Sequence, residues 1–568
     1  MRVDPPLAGA CGLPPSMTGA RVIRWRAAAS LVAGLSLPGC GGPAPPSPPD
    51  RSVVTERGQG TTAEVVLDGS LDEWSGVPIL VEDEGDPDGD PVIDLKALSA
   101  ADDPAWLFLQ LDVGRPLNLQ SMPGTVTLMV DSDGDPATGR SMEGMEGVEF
   151  AVDFSPRRDP ANQTYGAGFA LRLPDGATRT PYDVGLAGFP THAAERFEVR
   201  LSRRPRGSLP ALGPTVRLGM VARAADADAP GGSEEVDRLR ATRYRLTTEP
   251  GPDPFQPQLD LLSPPAAGTF RIATWNVGSE TFRNAGPFAR VLGLVRPDVI
   301  LLDEVYEDIS PAELRAFFEH EPLASLGRWS FIVSRGGGRQ KTVVAARDRT
   351  VRQEPAMAEV AYAPGAVDAL RRKSPASFHG VLDYEARVNL SATGAWVEVD
   401  PWNSPGREVL FVPVDLQSAG WDGSPQDLLR RLQAQTLLRE VRRVTAAPSQ
   451  APVVVAGDLN LVGGRGPLDL LLADGGNPFG PLAVATLPRL DEGVWATWLS
   501  ERQALFGPGR LDFTLYSDET LEQVGGFVLG ATGLSDSEMA SLGIDGTAAA
   551  ELKEDHLPMV VDLRLRDP

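Results

Sequence analysis

The chain has little cysteine, little histidine and no long apolar run after its first forty residues, and each scarcity excludes something. It holds two cysteines in 568 residues, Cys11 and Cys40, both near the N-terminus. No disulfide framework can staple the body of the protein. The four histidines are His192, His320, His379 and His556, so an imidazole beside other polar side chains stands out. Basic residues are outnumbered, with 53 Lys and Arg against 77 Asp and Glu and a formal charge of −24. A chain this acidic is a poor fit to tight, sequence-independent nucleic-acid binding, which runs on Lys and Arg. The apolar stretch from Ala27 to Leu37 is too short to span a bilayer.

What is present near the start has a pattern. Arg21, Arg24 and Arg26 precede that short apolar stretch, and "LPGC" follows it. The arrangement resembles a bacterial lipoprotein leader, with Cys40 as the residue that would be acylated and Pro38 departing from the commonest form. Residues 1–40 are read as the signal peptide and residues 41–60, "GGPAPPSPPDRSVVTERGQG", as a Pro/Gly-rich tether. The resemblance implies a lipid-anchored protein of the bacterial cell envelope, at the outer membrane or cell surface. Loss of residues 1–39 removes four arginines and one aspartate and moves the formal charge to −27. An anionic substrate would then need a metal ion or a local basic patch.

Sixty glycines and 52 prolines favour strands joined by turns. A proline-rich segment at residues 247–268 separates two regions of different pattern. In residues 61–246, "AEVVLDGSLDEW", "AWLFLQLDV", "GTVTLMVDSDGD", "GVEFAVDFS", "GFALRL" and "RFEVRLS" read as short strands of a β-sandwich. Two acidic turns stand in this region, Asp86, Asp88 and Asp90, and Asp131, Asp133 and Asp135. Alternate carboxylates around a Gly turn suit Ca²⁺ and equally suit a solvated turn. The run "VLDGSLDEWSG", "VDSDGDPATG" and "GVEFAVDF" resembles the family-9 carbohydrate-binding and DOMON-like sandwiches, which implies contact with glycan or cell envelope.

Residues 269–568 alternate strands and helices. Phe288, Val291, Leu292 and Val295 have helical spacing. "SPAE" at Ser310–Glu313 has the form of a capping box. "SPQDLLRRLQAQTLLREVRRV" predicts a long helix with Leu428, Leu432, Leu438 and Val441 on one face. The predicted strands end in polar side chains: Asn276 after "RIATW", Glu304 after "VILLD", and Asp458 and Asn460 in "VVVAGDLN". In an extended segment Asp458 and Asn460 would share a face. Asp512 alternates with Leu511, Phe513 and Leu515, and Asp555 and His556 precede the last strand. Carboxylate and amide oxygens suit Mg²⁺ or Mn²⁺, and one His with no Cys argues against zinc.

"ATWNVG", "LLDEV", "VVVAGDLN", "GRLDFTLYSD" and "EDHLPMVVDL", in this order, resemble the endonuclease/exonuclease/phosphatase superfamily. That resemblance implies an α/β four-layer DNase I-like sandwich following the all-β sandwich, and a Mg²⁺-dependent phosphoesterase, a nuclease among the options. It implies Asn276, Glu304 and Asp555 as metal ligands or supports. It implies Asp458 orienting water, Asn460 on the phosphate, and His556 on the scissile phosphate with Asp512 behind it. Two positions depart from the pattern. Asp303 stands where Gln is common, and Asp415, in "LFVPVDLQSAG", stands where the family places His or Tyr. Asp415 is then a carboxylic acid for the leaving group or a metal ligand. Arg510, two residues before Asp512, and Arg339, in a Gly-rich turn, are candidates for phosphate contact. Two other readings fit the same residues: an inactive binding or scaffold protein on this fold, and a glycan-attachment protein acting through the first sandwich.

Overall fold

The computed structural model describes residues 65–83, 92–157, 165–225, 233–278, 285–399, 406–447, 450–473, 475–502 and 505–566. Cys40, the leader, the tether and the turn at Asp86, Asp88 and Asp90 lie outside the described residues. Among the described residues no helix is long and apolar enough to cross a membrane.

The first half is built from antiparallel strands. One sheet runs, in order, Ile79–Glu82, Ala97–Asp102, Trp106–Leu117, Ala194–Ser202 and Ala187–Phe189. The other runs Ser233–Arg245, Thr215–Ala225, Gly124–Asp131, Phe150–Phe154, Phe169–Arg172 and Thr178–Arg179. Period-2 alternation drives the packing, because every second side chain turns inward. Leu107, Leu109 and Leu111 of one sheet share a core with Val126, Leu128 and Val130 of the other. "AEVVLDGSLDEW" is not the expected strand. Leu67 makes a lone bridge to Val494, and Asp72–Gly76 is a helical turn. Burial of Trp74, whose indole N–H donates to Glu198 at 3.0 Å, fixes that turn.

The second half has two mixed sheets. The first is Trp329–Val333, Gln340–Arg347, Val299–Tyr306, Phe270–Asn276, Met559–Leu565 and Leu521–Val528. The second has as its main path Val351–Gln353, Ala395–Glu398, Glu408–Asp415, Val453–Asp458, Asp512–Ser517 and Leu482–Val484. Ala273, Trp275, Ile300 and Leu302 pack outward on helices Ala285–Val295 and Pro311–Phe318. Val412, Val414, Val453 and Val455 pack outward on helix Pro425–Thr445. Ile272, Val299, Leu301, Phe411, Val454 and Ala456 meet between the sheets. The layers are helix, sheet, sheet, helix, and central strands buried on both faces explain the unbroken apolar runs. Ser310 caps its helix through Glu313 as expected. The long helix differs from its expected face. Ala434, Leu437, Leu438 and Val441 are buried against the sheet, whereas Leu428, Leu429 and Leu432 belong to a smaller cluster with Leu370 and Leu382.

The two halves are fastened together. Asn118 donates to the Val462 carbonyl at 2.6 Å, and the Gly463 carbonyl accepts from Ala193 N–H at 2.8 Å. Arg510 N–H donates to Thr191 Oγ1 at 2.8 Å, and Ser500 N–H donates to the Tyr182 hydroxyl at 2.9 Å. Tyr165 stacks on Trp421 with centroids 4.3 Å apart. Residues 247–268 are tied to both sides, through Gly251 N–H to the Pro104 carbonyl and Gln258 N–H to the Leu490 carbonyl.

Candidate functional site

Strand alternation carries the polar side chains to one place. Asn276 continues the inter-sheet row of Phe270 and Ile272, and Asp303 continues that of Val299 and Leu301. In the facing sheet Asp415 follows Val409 and Phe411, and Asp458 follows Val454 and Ala456. Phe513 and Leu515 face the outer layer, so Asp512 faces inward. Four apolar rows, and the row of Asp512, Thr514 and Tyr516, thus end in polar groups at one edge of the gap between the sheets. Registers Asn276↔Asp303, Asp415↔Asp458 and Asp458↔Asp512 place them side by side.

Gly457 permits the close approach. Its φ is +140°, and a Cβ there would lie 2.0 Å from the Val414 carbonyl oxygen. Asp458 and Asn460 meet by a different route from strand alternation. The strand stops at Asp458, and Asn460 has φ +49°. Asn460 N–H donates to Asp458 Oδ1 at 2.7 Å, and Asn460 Nδ2 donates to Asp458 Oδ2 at 2.8 Å and to the Leu416 carbonyl at 2.8 Å. A local turn of this kind suits Asn, which tolerates the left-handed region.

Glu304 is re-aimed in a similar way. By alternation it would oppose Asp303, but the strand register shifts between Leu302 and Val305 and Glu304 has φ +51°. It lines a cleft of ≈ 70 Å³ with Asp415, Asn460, Tyr384 and Gln433. Left-handed backbone at a Glu is costly and is held by the surrounding ladder. The loop after Asp415 is clamped by buried Arg430, whose guanidinium donates to the Gln417 and Ala419 carbonyls at 2.7 and 2.6 Å.

His556 lies between two acids. Its Nδ1 is 2.9 Å from Asp512 Oδ2, and its Nε2 is 3.7 Å from Asp458 Oδ2. The Trp275 indole N–H donates to the His556 carbonyl at 2.9 Å, and Asp512 N–H donates to Thr497 Oγ1 at 3.0 Å. Burial opposes the charge on the ring, but Asp512 and Asp458 outweigh it and hold the His556 pKa well above the usual imidazole value. Burial, with Asp512 and Glu304 adding to it, pushes Asp458 up to about 8, although His556 pulls the other way. Asp303 and Asp415 are raised well above the carboxylate range, by burial first and by neighbouring acids second.

The remaining expected residues divide. Asn276 Nδ2 donates to Asp458 Oδ2 at 3.4 Å, which brings it into the cluster. Asp555 sits at the exposed rim with φ +67°, and its Oδ1 accepts from the Trp498 indole at 3.0 Å. Arg510 makes no ion pair with Asp512. Its guanidinium lies over Phe513 and Trp495 and donates to the Ala485 carbonyl at 3.2 Å, because the strand begins only at Asp512. Arg339 is exposed, over the Tyr306 ring, near cleft residues Gly337 and Gln340. In the first half Asp131 and Asp133 converge with Glu149, whereas Asp135 turns back to accept from Ala137 N–H. Glu149 comes from across a hairpin, so spacing along the turn could not reveal it. Arg217, Gly134, Ser132 and Thr138 already supply donors to that trio.

The sequence marks Asp303 only as an acid standing where Gln is common. Its side chain is wholly buried, and neither oxygen has a hydrogen-bond partner. An acid among buried apolar residues in "VILLDE" was the available signal.

The fold and site define a buried set of oxygen donors and an Asp-supported histidine at the edge of paired mixed sheets. Residues 273–536 match the family model described as Endonuclease/Exonuclease/phosphatase family. No curated protein matches the chain in sequence. Among solved structures, the human Nocturnin catalytic domain with bound sulfate is 15% identical, covering 53% of this chain and 94% of that one, with TM-score 0.32. A humanized D. rerio TDP2 is 16% identical, covering 52% and 100%, with TM-score 0.33. ANGEL2, a 2',3'-cyclic phosphatase, in complex with adenosine-2',3'-vanadate, is 16% identical, covering 52% and 96%, with TM-score 0.34. The family match supports a phosphoric ester hydrolase in the second half of the chain.

Proposed function

We propose that the protein hydrolyses a phosphate ester with a divalent cation, Mg²⁺ or Mn²⁺, at the cluster of Asn276, Glu304, Asp458, Asn460, Asp512 and His556. The observation that carries this reading is the His556 imidazole held by Asp512 at 2.9 Å and facing Asp458 at 3.7 Å.

Asn276 and Glu304 would hold the cation, and the donor chemistry fits, since the site offers carboxylate and amide oxygens and one imidazole. Two fully buried Asp303 oxygens without partners support the same fit. A divalent cation supplies charge neutralisation at the phosphoryl group and lowers the pKa of bound water. The chain's own groups do the rest. His556, kept protonated by its two acids, donates from Nε2 to a phosphoryl oxygen, and Asp512 fixes the ring through Nδ1. Asp458 orients the attacking water and accepts its proton, a task suited to a carboxylate raised toward neutrality. Asn460 fixes Asp458 through two hydrogen bonds and lines the cleft, where it would meet the phosphate. Asp415, buried beside Glu304 and raised in pKa, can carry a proton for the leaving group.

The same reading places the enzyme on a lipid anchor at Cys40 in the bacterial cell envelope, with the first half in contact with glycan. The leader pattern and the sandwich resemblance support it. Radiolabelled palmitate incorporation lost in Cys40→Ala tests the anchor.

The activity test uses the full chain with bis-p-nitrophenyl phosphate and p-nitrophenyl phosphate, in Mg²⁺, Mn²⁺ or EDTA, beside His556→Ala. Cation-dependent release that disappears in the variant is expected. Equal release in EDTA, or in His556→Ala, would overturn the assignment.

A further inference from the structure

The cleft beside the site carries one sign of charge. Glu304, Glu385 and Asp415 line it, and among the described residues no Lys or Arg does. Arg339 turns its guanidinium to the Tyr306 hydroxyl at 3.2 Å and meets the cleft residue Tyr384 through its backbone N–H, at 3.0 Å. A second phosphate on a substrate would sit among carboxylates that repel it. Most of the other lining side chains are amides and hydroxyls, among them Asn389, Ser391 and Gln433. The volume of ≈ 70 Å³ holds roughly five waters, the scale of a small polyol rather than of a nucleoside.

Two of the lining groups form a pair. Gln433, on the helix Pro425–Thr445, donates from Nε2 to Oε2 of Glu385, on the helix His379–Val388, at 3.2 Å. The Tyr362 hydroxyl donates to the same oxygen. Among the described residues both hydrogen bonds to this carboxylate fall on Oε2, which leaves Oε1 to accept from a ligand. Gln433 is buried, its Oε1 accepts from Gln417 N–H at 2.8 Å, and its amide carries a second hydrogen. A carboxylate oxygen beside an amide N–H matches hydroxyl groups, which donate to one and accept from the other. Asp415, the acid placed to protonate the leaving group, lines the same cleft, so the leaving group is what the cleft would hold.

We propose that the cleft selects a small neutral polyol as the leaving group, with Glu385 and Gln433 as specificity-determining residues that hold its hydroxyls, and that its acids exclude esters bearing a second phosphate. The inference rests on the phosphoesterase reading above and narrows its substrate class. In the hydrolysis, the water oxygen bonds to phosphorus and its proton passes to Asp458. The bond from phosphorus to the polyol oxygen breaks, and that oxygen takes the proton of Asp415.

The test uses the full chain with Mg²⁺ or Mn²⁺ and esters of glycerol and of 1-propanol, each as the phosphomonoester and as the symmetric phosphodiester, beside p-nitrophenyl phosphate and bis-p-nitrophenyl phosphate. In the wild type kcat/KM for the glycerol ester is expected to exceed that for the propyl ester at least about tenfold, since the propyl group leaves the Glu385 and Gln433 hydrogen bonds unmade. The glycerol ester carrying a further phosphate on its leaving glycerol is expected to react at least about tenfold more slowly than the plain one. Glu385→Ala and Gln433→Ala are expected to bring the glycerol-to-propyl ratio close to one. Equal rates on glycerol and propyl esters in the wild type, with p-nitrophenyl release intact, overturn the polyol inference and leave the phosphoesterase reading standing. Faster cleavage of the ester with the further phosphate overturns the exclusion by charge. An undiminished ratio in both variants overturns the role of the pair. No release from any ester with either cation overturns the phosphoesterase reading and this inference with it. The wild-type ratio decides the substrate class even where a variant fails to fold.

Discussion

His556 Nδ1 and Asp512 Oδ2 lie 2.9 Å apart, joining the start of the last strand segment to a strand in the facing sheet. The carboxylate fixes which ring nitrogen faces Asp458 and keeps the ring charged. Asp512→Asn and His556→Ala are each expected to lower kcat by roughly 10²–10⁴-fold. Circular dichroism and the melting temperature should change little. A steady-state assay checks this, and near-native kcat in either variant would remove the pair from the chemistry.

Gly457 is the backbone position with least tolerance at the site. Its φ of +140° and the 2.0 Å approach to the Val414 oxygen both forbid a Cβ. Gly457→Ala is expected to cost about 3 kcal/mol or more, since strain and overpacking act together. Urea denaturation measures it. A cost within error of zero would mean the two parallel strands separate freely.

The contacts between the halves make the first half part of the enzyme's framework. Asn118 donates to both the Thr191 and Val462 carbonyls, at 2.9 and 2.6 Å, and Val462 follows Asn460 by two residues. Asn118→Ala is expected to cost about 1–3 kcal/mol by leaving buried acceptors unmet. Residues 265–568 expressed alone should melt lower than the full chain and lose activity, although every proposed catalytic group is present. Equal melting and equal kcat would show that the halves are independent.

Glu492 ties the halves together electrostatically, 3.0 Å from Arg200. Burial works against its charge, but Arg489 and Arg200 prevail and lower its pKa from 4.5 to about 2. A lowered folded pKa stabilises the protein fully above the unfolded value. That stabilisation is lost as pH falls from about 4.5 to about 2. Denaturation of the wild type and Glu492→Gln should therefore differ near neutrality and converge in acid. A difference that persists below that window would contradict the linkage.

Much of the second half was legible because buried strands and capped helices obey local rules. Ser310 with Glu313 and the row ending in Asp458 needed no tertiary knowledge. The long helix was harder to orient, because Leu428 and Leu432 serve a second small cluster rather than the sheet. In the first half the "VLDGSLDEW" segment misled, since Trp74 gains more from burial against Glu198 than the segment gains from pairing as a strand.

The sequence by itself determined which side chains end the inward rows. Period-2 alternation sets which side of its own strand each of Asn276, Asp415, Asp458 and Asp512 takes, and turn chemistry marks where the strands stop. Only the tertiary structure decided the rest. A register shift and a left-handed residue bring Glu304 to the cleft, against its parity. The junction between strands Met145–Val148 and Phe150–Phe154 places Glu149 with Asp131 and Asp133. Packing of one sheet on another turns Asp303 from an ordinary acid into a buried carboxylate without a donor. Alternation is a property of the backbone and can be counted along the chain. Bulges, sheet facing and desolvation depend on neighbours far away in sequence, and arise only when the layers close.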